Sequence, residues 1–170
     1  MSKLRHSSSF KQKKDFKPKG TAIEYALRSV TAKLQTEKQI RDKIEKYYPD
    51  VNHDEVMDRL KELEYIDDKA FCAAWVRHRS ISSPRGAFAL RRELQMKGIP
   101  AHIIEAELEH ADFSNELRDL AESKWPSILR REENSYKQKE KLMRFLISRG
   151  FQMTEVLEVV NQIASELREG

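Results

Sequence analysis

The sequence predicts an all-α fold, an elongated tandem array of three three-helix units preceded by a disordered basic tail. Three observations carry that expectation. Charged residues make up 35% of the 170-residue chain while glycine and proline number five each, a balance that favours helices over sandwiches or loop-rich folds. Apolar residues recur at helical spacing between capping signals, and no segment reads as a strand. One hydrophobic outline also occurs twice. Sliding the chain by fifty-two positions lays Leu90, Arg92, Leu94 and Gly98 on Leu142, Arg144, Leu146 and Gly150, and Ile99, Ile104 and Leu108 on Phe151, Val156 and Val160.

Residues 1–20 hold seven Lys or Arg against one Asp, with only two phenylalanines. Such a stretch buries too little apolar surface to offset the entropy of ordering itself, so it is expected to be a disordered basic tail. The first unit, 21–66, opens at Thr21, which with Glu24 has the spacing of a capping box. Ile23, Ala26, Leu27, Val30 and Leu34 then follow one helical face. Thr36 with Gln39 opens a second helix, carrying Ile40, Ile44 and Tyr47 and ending before Pro49. Asn52 with Glu55 starts a third, with Val56, Leu60 and Leu63 on its stripe.

The second unit, 67–112, begins at "YIDDKAF". Asp67 caps a helix carrying Phe71, Ala74, Trp75 and His78, and Asp68 complements its dipole. Ser83 and Pro84 supply a cap and a first-turn proline for a helix with a Phe88, Leu90, Leu94 stripe, running to Lys97. Gly98 followed by Ile99 fits a left-handed C-cap, and Gly98→Ala is expected to cost about 1 kcal/mol or more if its φ is positive. Pro100 starts a short helix with Ile103, Ile104 and Leu108.

In the third unit, 113–170, Ser114 caps a helix through Leu117, Leu120 and Ala121 that Trp125-Pro126 is expected to interrupt or kink. Ser135 with Gln138 opens the next, through Leu142, Phe145 and Leu146 to a Gly150 cap. A last helix from Thr154 carries Val156, Leu157, Val160, Ile163 and Leu167. The first unit fits the pattern less closely, because "YYPD" stands where the other two have glycine. Three helical triplets of about fifty residues imply a stack in which each unit packs chiefly on its neighbour.

Charge follows the same repeat. Residues 76–98 carry six basic side chains against one acidic and 99–122 one against seven; 123–151 carry eight against three and 152–170 one against four. The sequence has no Gly-rich phosphate loop, and its histidines and single cysteine do not fall at metal-ligand spacings, so no cofactor or metal is expected. Cys72 reads as a buried, inert thiol, and no nucleophile–base pair suggests an enzyme. With no long apolar run and no secretory signal in the N-terminal stretch, the expectation is a cytoplasmic monomer without a membrane span.

The positive chemistry lies in Arg77, Arg79, Arg85, Arg91, Arg92 and Lys97 of the second unit and Lys137, Lys139, Lys141, Arg144 and Arg149 of the third. On the predicted helix, Arg85, Arg91 and Arg92 lie off the apolar stripe and project together into solvent, and stacking joins the two clusters into one basic stripe. Such a stripe suits phosphates or an acidic protein groove. The plainer alternative is that these charges solvate the exterior and pair with acidic third helices, Glu105, Glu107 and Glu109 among them.

With "YIDDKAFCAAWVRHR" and "LRRELQMKGI" laid beside the three triplets, the chain resembles the RecX family of recombinase regulators. The residues that carry the resemblance are Tyr65 to Phe71, Arg77 and Arg79, and Glu93 to Ile99. The resemblance implies a modular helical protein, without catalytic residues of its own, that binds the RecA filament on single-stranded DNA and restrains its growth, ATP hydrolysis and strand exchange. An autonomous DNA-binding protein of tandem helix-turn-helix-like units is the second expectation, and a scaffold acting through exposed apolar edges a third.

Overall fold

The structure, a computed structural model, describes residues 18–166. Residues 1–17 of the predicted tail and Leu167 lie outside the described residues. Within them nine helices follow one another without a strand: α1 (Ala22–Ala32), α2 (Glu37–Tyr47), α3 (His53–Glu62), α4 (Asp68–Ser82), α5 (Ala87–Met96), α6 (Ala101–Leu108), α7 (Ser114–Leu129), α8 (Ser135–Ser148) and α9 (Met153–Glu166). The helices that pack extensively on one another lie within a triplet, α1–α3, α4–α6 or α7–α9.

Each triplet has its own core. Ala26, Ile40, Ile44, Met57 and Leu60 fill the first; Phe71, Cys72, Leu90, Leu94, Ile99 and Ile104 the second; Leu117, Ala121, Trp125, Leu142, Leu146, Val156 and Val160 the third. Leu90 and Leu94 therefore stand in their unit as Leu142 and Leu146 do in theirs, which is the physical content of the fifty-two-residue repeat. Phe113 packs, partly buried, against both the second and third cores.

Local signals explain most helix starts. Thr21–Glu24 and Thr36–Gln39 form reciprocal capping boxes, and Asn52 and Asp67 accept from the first free amides of α3 and α4. Three starts differ from expectation. Gly86, not Ser83, is the N-cap of α5, and it makes no side-chain cap bond. Asn134, not Ser135, caps α8 by accepting from Lys137 N. α7 runs unbroken through Pro126 for 16 residues, preceded by Phe113 as cap, with Trp125 and Ile128 buried on its inner face. The proline ring removes one backbone donor, and the burial of those two side chains offsets that loss, although Trp125 Nε1 is buried without a hydrogen-bond partner among the described residues. Leu34, Leu63, Phe88 and Leu157 are exposed rather than inward.

Two glycine seams join the units. Gly98 (φ +84°) and Gly150 (φ +89°) end their helices in the left-handed region, as the repeat predicted, and each also lies against the start of the preceding unit's middle helix. A Cβ on Gly98 would lie 2.8 Å from Cγ of Lys38 in α2, and one on Gly150 would lie 2.5 Å from Cβ of Ala89 in α5. At the first seam Thr36 Oγ1 donates to Lys97 O at 2.7 Å, and Glu37 N donates to Asp68 Oδ1 at 3.0 Å. At the second the backbone does the work, with Gly86 N donating to Arg149 O and Phe88 N to Gly150 O, both at 3.1 Å. The first unit ends α2 with Tyr48 instead, whose hydroxyl donates to Pro18 O and Gly20 O.

Candidate nucleic-acid interface

The second unit supplies a cationic cluster organised around one carboxylate. Glu93, on the α5 face turned toward α4, accepts from Trp75 Nε1 at 3.0 Å and from Arg79 Nε at 2.8 Å. Arg85, in the α4–α5 connection, brings its Nε within 3.5 Å of the same carboxylate. Trp75 stacks on Phe71 and has two cations over its ring, with Arg79 Cζ 4.8 Å and Lys97 Nζ 3.8 Å from its centroid. Burial pushes the Lys97 ammonium below its ordinary pKa; Glu93 opposes the fall, and Arg79 and Lys33 add to it. The structure thus brings Arg79, Arg85 and Lys97 together.

Arg91 stands apart from them. It grips Glu105 of α6 through two hydrogen bonds of 2.7 Å, and that bond holds the Glu105 carboxyl below its usual range. The expectation that Arg85 and Arg92, with Arg91, project together into solvent holds for Arg92 alone: Arg85 turns to Glu93 and the acidic third helix claims Arg91. Arg77 is exposed as well, on α4. Phe88, 59% exposed, lies on the outside of α5 with Arg91 Cζ 5.8 Å from its ring.

In the third unit Lys141 reaches Glu132 at 2.7 Å, Arg144 pairs with Glu140 one turn back, and Lys139 donates to Asn161 at 3.0 Å. Lys137 is exposed at the start of α8. Arg149, at the C-cap, places Cζ 5.0 Å from the Phe145 ring centroid, with Lys124 Nζ at 5.1 Å from that centroid. Lys124 and Arg131, which sequence reasoning passed over, line a recess of about 270 Å³ together with Lys141. Their signal was the basic excess of residues 123–151, too broad to single them out. The Gly86–Arg149 backbone bond sets Arg85, one residue earlier, beside the backbone of the third unit's cationic C-cap.

Asp68 serves a second end besides the one expected. It stands in the first turn of α4, where its charge complements the helix dipole, and it also accepts from Glu37 N of α2 across the first seam. Burial raises its pKa, opposed by the hydrogen bond from Glu37 N. Cys72 is fully buried, and burial pushes its thiol up to about 11. Among the described residues no group of three or more His, Cys, Asp or Glu could hold a metal ion, and no helix is long and apolar enough to cross a membrane.

Residues 67–108 match the family model for the second three-helix domain of RecX, and residues 114–160 match that for its third three-helix domain. The chain belongs to the RecX family. It is 34% identical over 143 residues to Regulatory protein RecX of Chlorobium phaeobacteroides (strain BS1), covering 84% of this chain and 93% of the relative. Regulatory protein RecX of Clostridium botulinum (strain Eklund 17B / Type B) is also 34% identical over 143 residues, 82% of this chain. The chain spans 66% of that relative's length, just under two thirds. The crystal structure of RecX from Lactobacillus salivarius matches in fold, with a TM-score of 0.74 at 22% sequence identity over 83% of this chain and 93% of that one. The Arg77–Lys97 cations lie inside the matched second RecX domain and the Lys137–Arg149 cations inside the third.

Proposed function

We propose that this chain binds RecA–single-stranded-DNA filaments and inhibits their extension, ATP hydrolysis and strand exchange, acting as a cytoplasmic monomeric regulator of repair and recombination without catalysis of its own. The observation that carries the reading is the family match over two successive units that each present a cationic middle helix. Units 21–66, 67–112 and 113–170 act in series. Contacts by Arg77, Arg79, Arg85, Arg92 and Lys97 on one unit and by Lys137, Lys139, Lys141, Arg144 and Arg149 on the next are individually weak, and they add through effective concentration. Binding to naked single-stranded DNA is then much weaker than binding to a filament.

The test is DNA-dependent ATP hydrolysis by the cognate RecA at fixed salt, with substoichiometric protein added before or after filament assembly. Inhibition that is strongest during assembly supports blocked extension. If hydrolysis falls only once the protein saturates the DNA, competition for DNA explains it, and autonomous DNA binding replaces the proposal.

A further inference from the structure

Glu93 is the one acidic side chain in the cationic stretch 76–98, and it sits at the centre of that stretch's cluster rather than at its edge. Only 18% of its side chain is exposed, against 24% for Arg79 and 25% for Arg85. Both arginines approach the carboxylate through Nε, and their terminal nitrogens donate to no acceptor among the described residues. Arg79, hydrogen-bonded at Nε, has already lost most of the freedom of its stem, and Arg85 is drawn to the same carboxylate by an ion pair at 3.5 Å, yet both keep their outer donors for a second oxyanion. The Trp75 indole limits Arg79 further, bonding Glu93 through Nε1 and packing its ring on the guanidinium. One carboxylate facing Arg79, Arg85 and nearby Lys97 leaves the cluster with surplus positive charge.

We infer that Glu93 is a positioning residue that holds Arg79 and Arg85 as a preset pair, whose outer nitrogens take one phosphodiester group of single-stranded DNA. This deepens the filament-regulator reading and rests on it. A tetrahedral phosphate presents oxygens to two guanidinium forks at once, and prior ordering of both forks lowers the entropy lost on binding. The exposed Phe88 ring, three residues beyond Arg85, gives a neighbouring base an aromatic face.

The sign of one substitution separates positioning from plain electrostatics. Glu93→Gln makes the protein more positive, so charge alone would tighten its grip on a polyanion. Glutamine keeps one acceptor oxygen but loses the charge and the second oxygen, so at least one of the two guanidinium groups loses its anchor; this acts the other way, and the expected result is binding weakened roughly tenfold, the worth of a single charge-assisted hydrogen bond.

The experiment titrates the full-length nitrogen-labelled protein with short single-stranded oligothymidine at low salt. It follows the Nε–Hε signals of Arg79 and Arg85 by magnetic resonance, with Arg118, paired with Glu122 and Glu166, as reference. Arg79 and Arg85 should shift to saturation while Arg118 stays in place. Glu93→Gln, and independently Arg85→Lys, which keeps the charge but loses the fork, should bind more weakly with unfolding temperatures near that of the parent. Equal or tighter binding by Glu93→Gln overturns the inference, as do unmoved Arg79 and Arg85 signals. Unmoved signals combined with lost RecA inhibition in Glu93→Gln would assign the pair to an acidic protein surface instead. If the arginines respond to DNA but the parent protein leaves RecA hydrolysis unchanged, the site stands and the filament reading falls.

Discussion

Gly86→Ala tests how the units are joined. Gly86 has φ −78° and ψ 169°, a conformation open to any residue, so alanine there meets no backbone strain. The cost arises entirely across the seam: a Cβ would lie 2.5 Å from Phe151 Cα and closer still to the Gly150 carbonyl oxygen. Backbone atoms cannot swing aside as a side chain can, so the third unit must withdraw to restore van der Waals contact. Withdrawal breaks the bonds from Gly86 N and Phe88 N to Arg149 O and Gly150 O. Overpacking of this kind costs about 1–3 kcal/mol and the two hydrogen bonds about 1 kcal/mol each, which places the total at about 3–5 kcal/mol if the seam stays closed. The seam can also open, and the loss is then capped at its own coupling energy, as in a one-dimensional array. Hydrogen exchange resolves the two regimes. The Phe88 amide should exchange far faster in Gly86→Ala, while the amides of Leu146 and Val160, inside the third core, keep their protection. Thermal unfolding should broaden or divide into two steps. A single transition within a degree or two of the parent's, with Phe88 protection intact, would refute the seam argument.

Three further outcomes follow from individual side chains. Asp68 has a raised pKa in the folded state, so the folded state binds its proton more tightly than the unfolded one, and its charge detracts from stability once pH rises through that elevated value. Asp68→Asn keeps an oxygen for Glu37 N; it should match the parent near pH 4 and be at least as stable at pH 7, and lower stability at pH 7 would contradict the assignment. Cys72, with its thiol raised to about 11 and no exposure, should resist a thiol-specific disulfide reagent at pH 8 until the protein unfolds; prompt reaction in the native state would show that the second core opens readily. Arg92→Glu should leave stability within about 0.5 kcal/mol and weaken RecA inhibition, whereas Arg91→Glu should in addition cost stability, because it sets two carboxylates face to face with Glu105. Thermal melts and ATPase assays on both variants check this, and equal melting temperatures would remove the distinction.

Much of the fold was legible because its signals are local. The capping boxes at Thr21 and Thr36, the caps at Asn52 and Asp67 and the glycine stops at Gly98 and Gly150 each depend on residues within a few positions of one another. The misreadings arose where a distant contact overrode a local preference. Ser83-Pro84 is a good helix start in isolation, but α5 begins at Gly86 because only a residue without a side chain fits against Gly150 and Phe151. Pro126 looked like a break because its neighbours in the third core were not visible from sequence. The candidate site was legible as a set of residue types and less so as an arrangement. Glu93 lies fourteen residues from Arg79, and Glu105 fourteen from Arg91, each on a different helix from its arginine, so no helical spacing foretold either pair. Asp68 and Glu37 are thirty-one apart, and their bond follows only from the stacking of two units.

Each seam uses the carbonyl of a cationic residue, Lys97 at the first and Arg149 at the second, the same residues whose cations rest on the aromatic rings of Trp75 and Phe145. Charge and joint are therefore carried on the same residue in both places. Lys97 belongs to the second unit and Arg149 to the third, so the interval between these two positive charges is set by the seating of the second seam and changes when that seam tilts. A rigid polyanion whose own repeat differs from that interval strains either the cationic side chains or the second seam, so the seating of that seam enters the affinity. Loosening a seam would then change which lattices the protein can follow, even where every cationic side chain is intact.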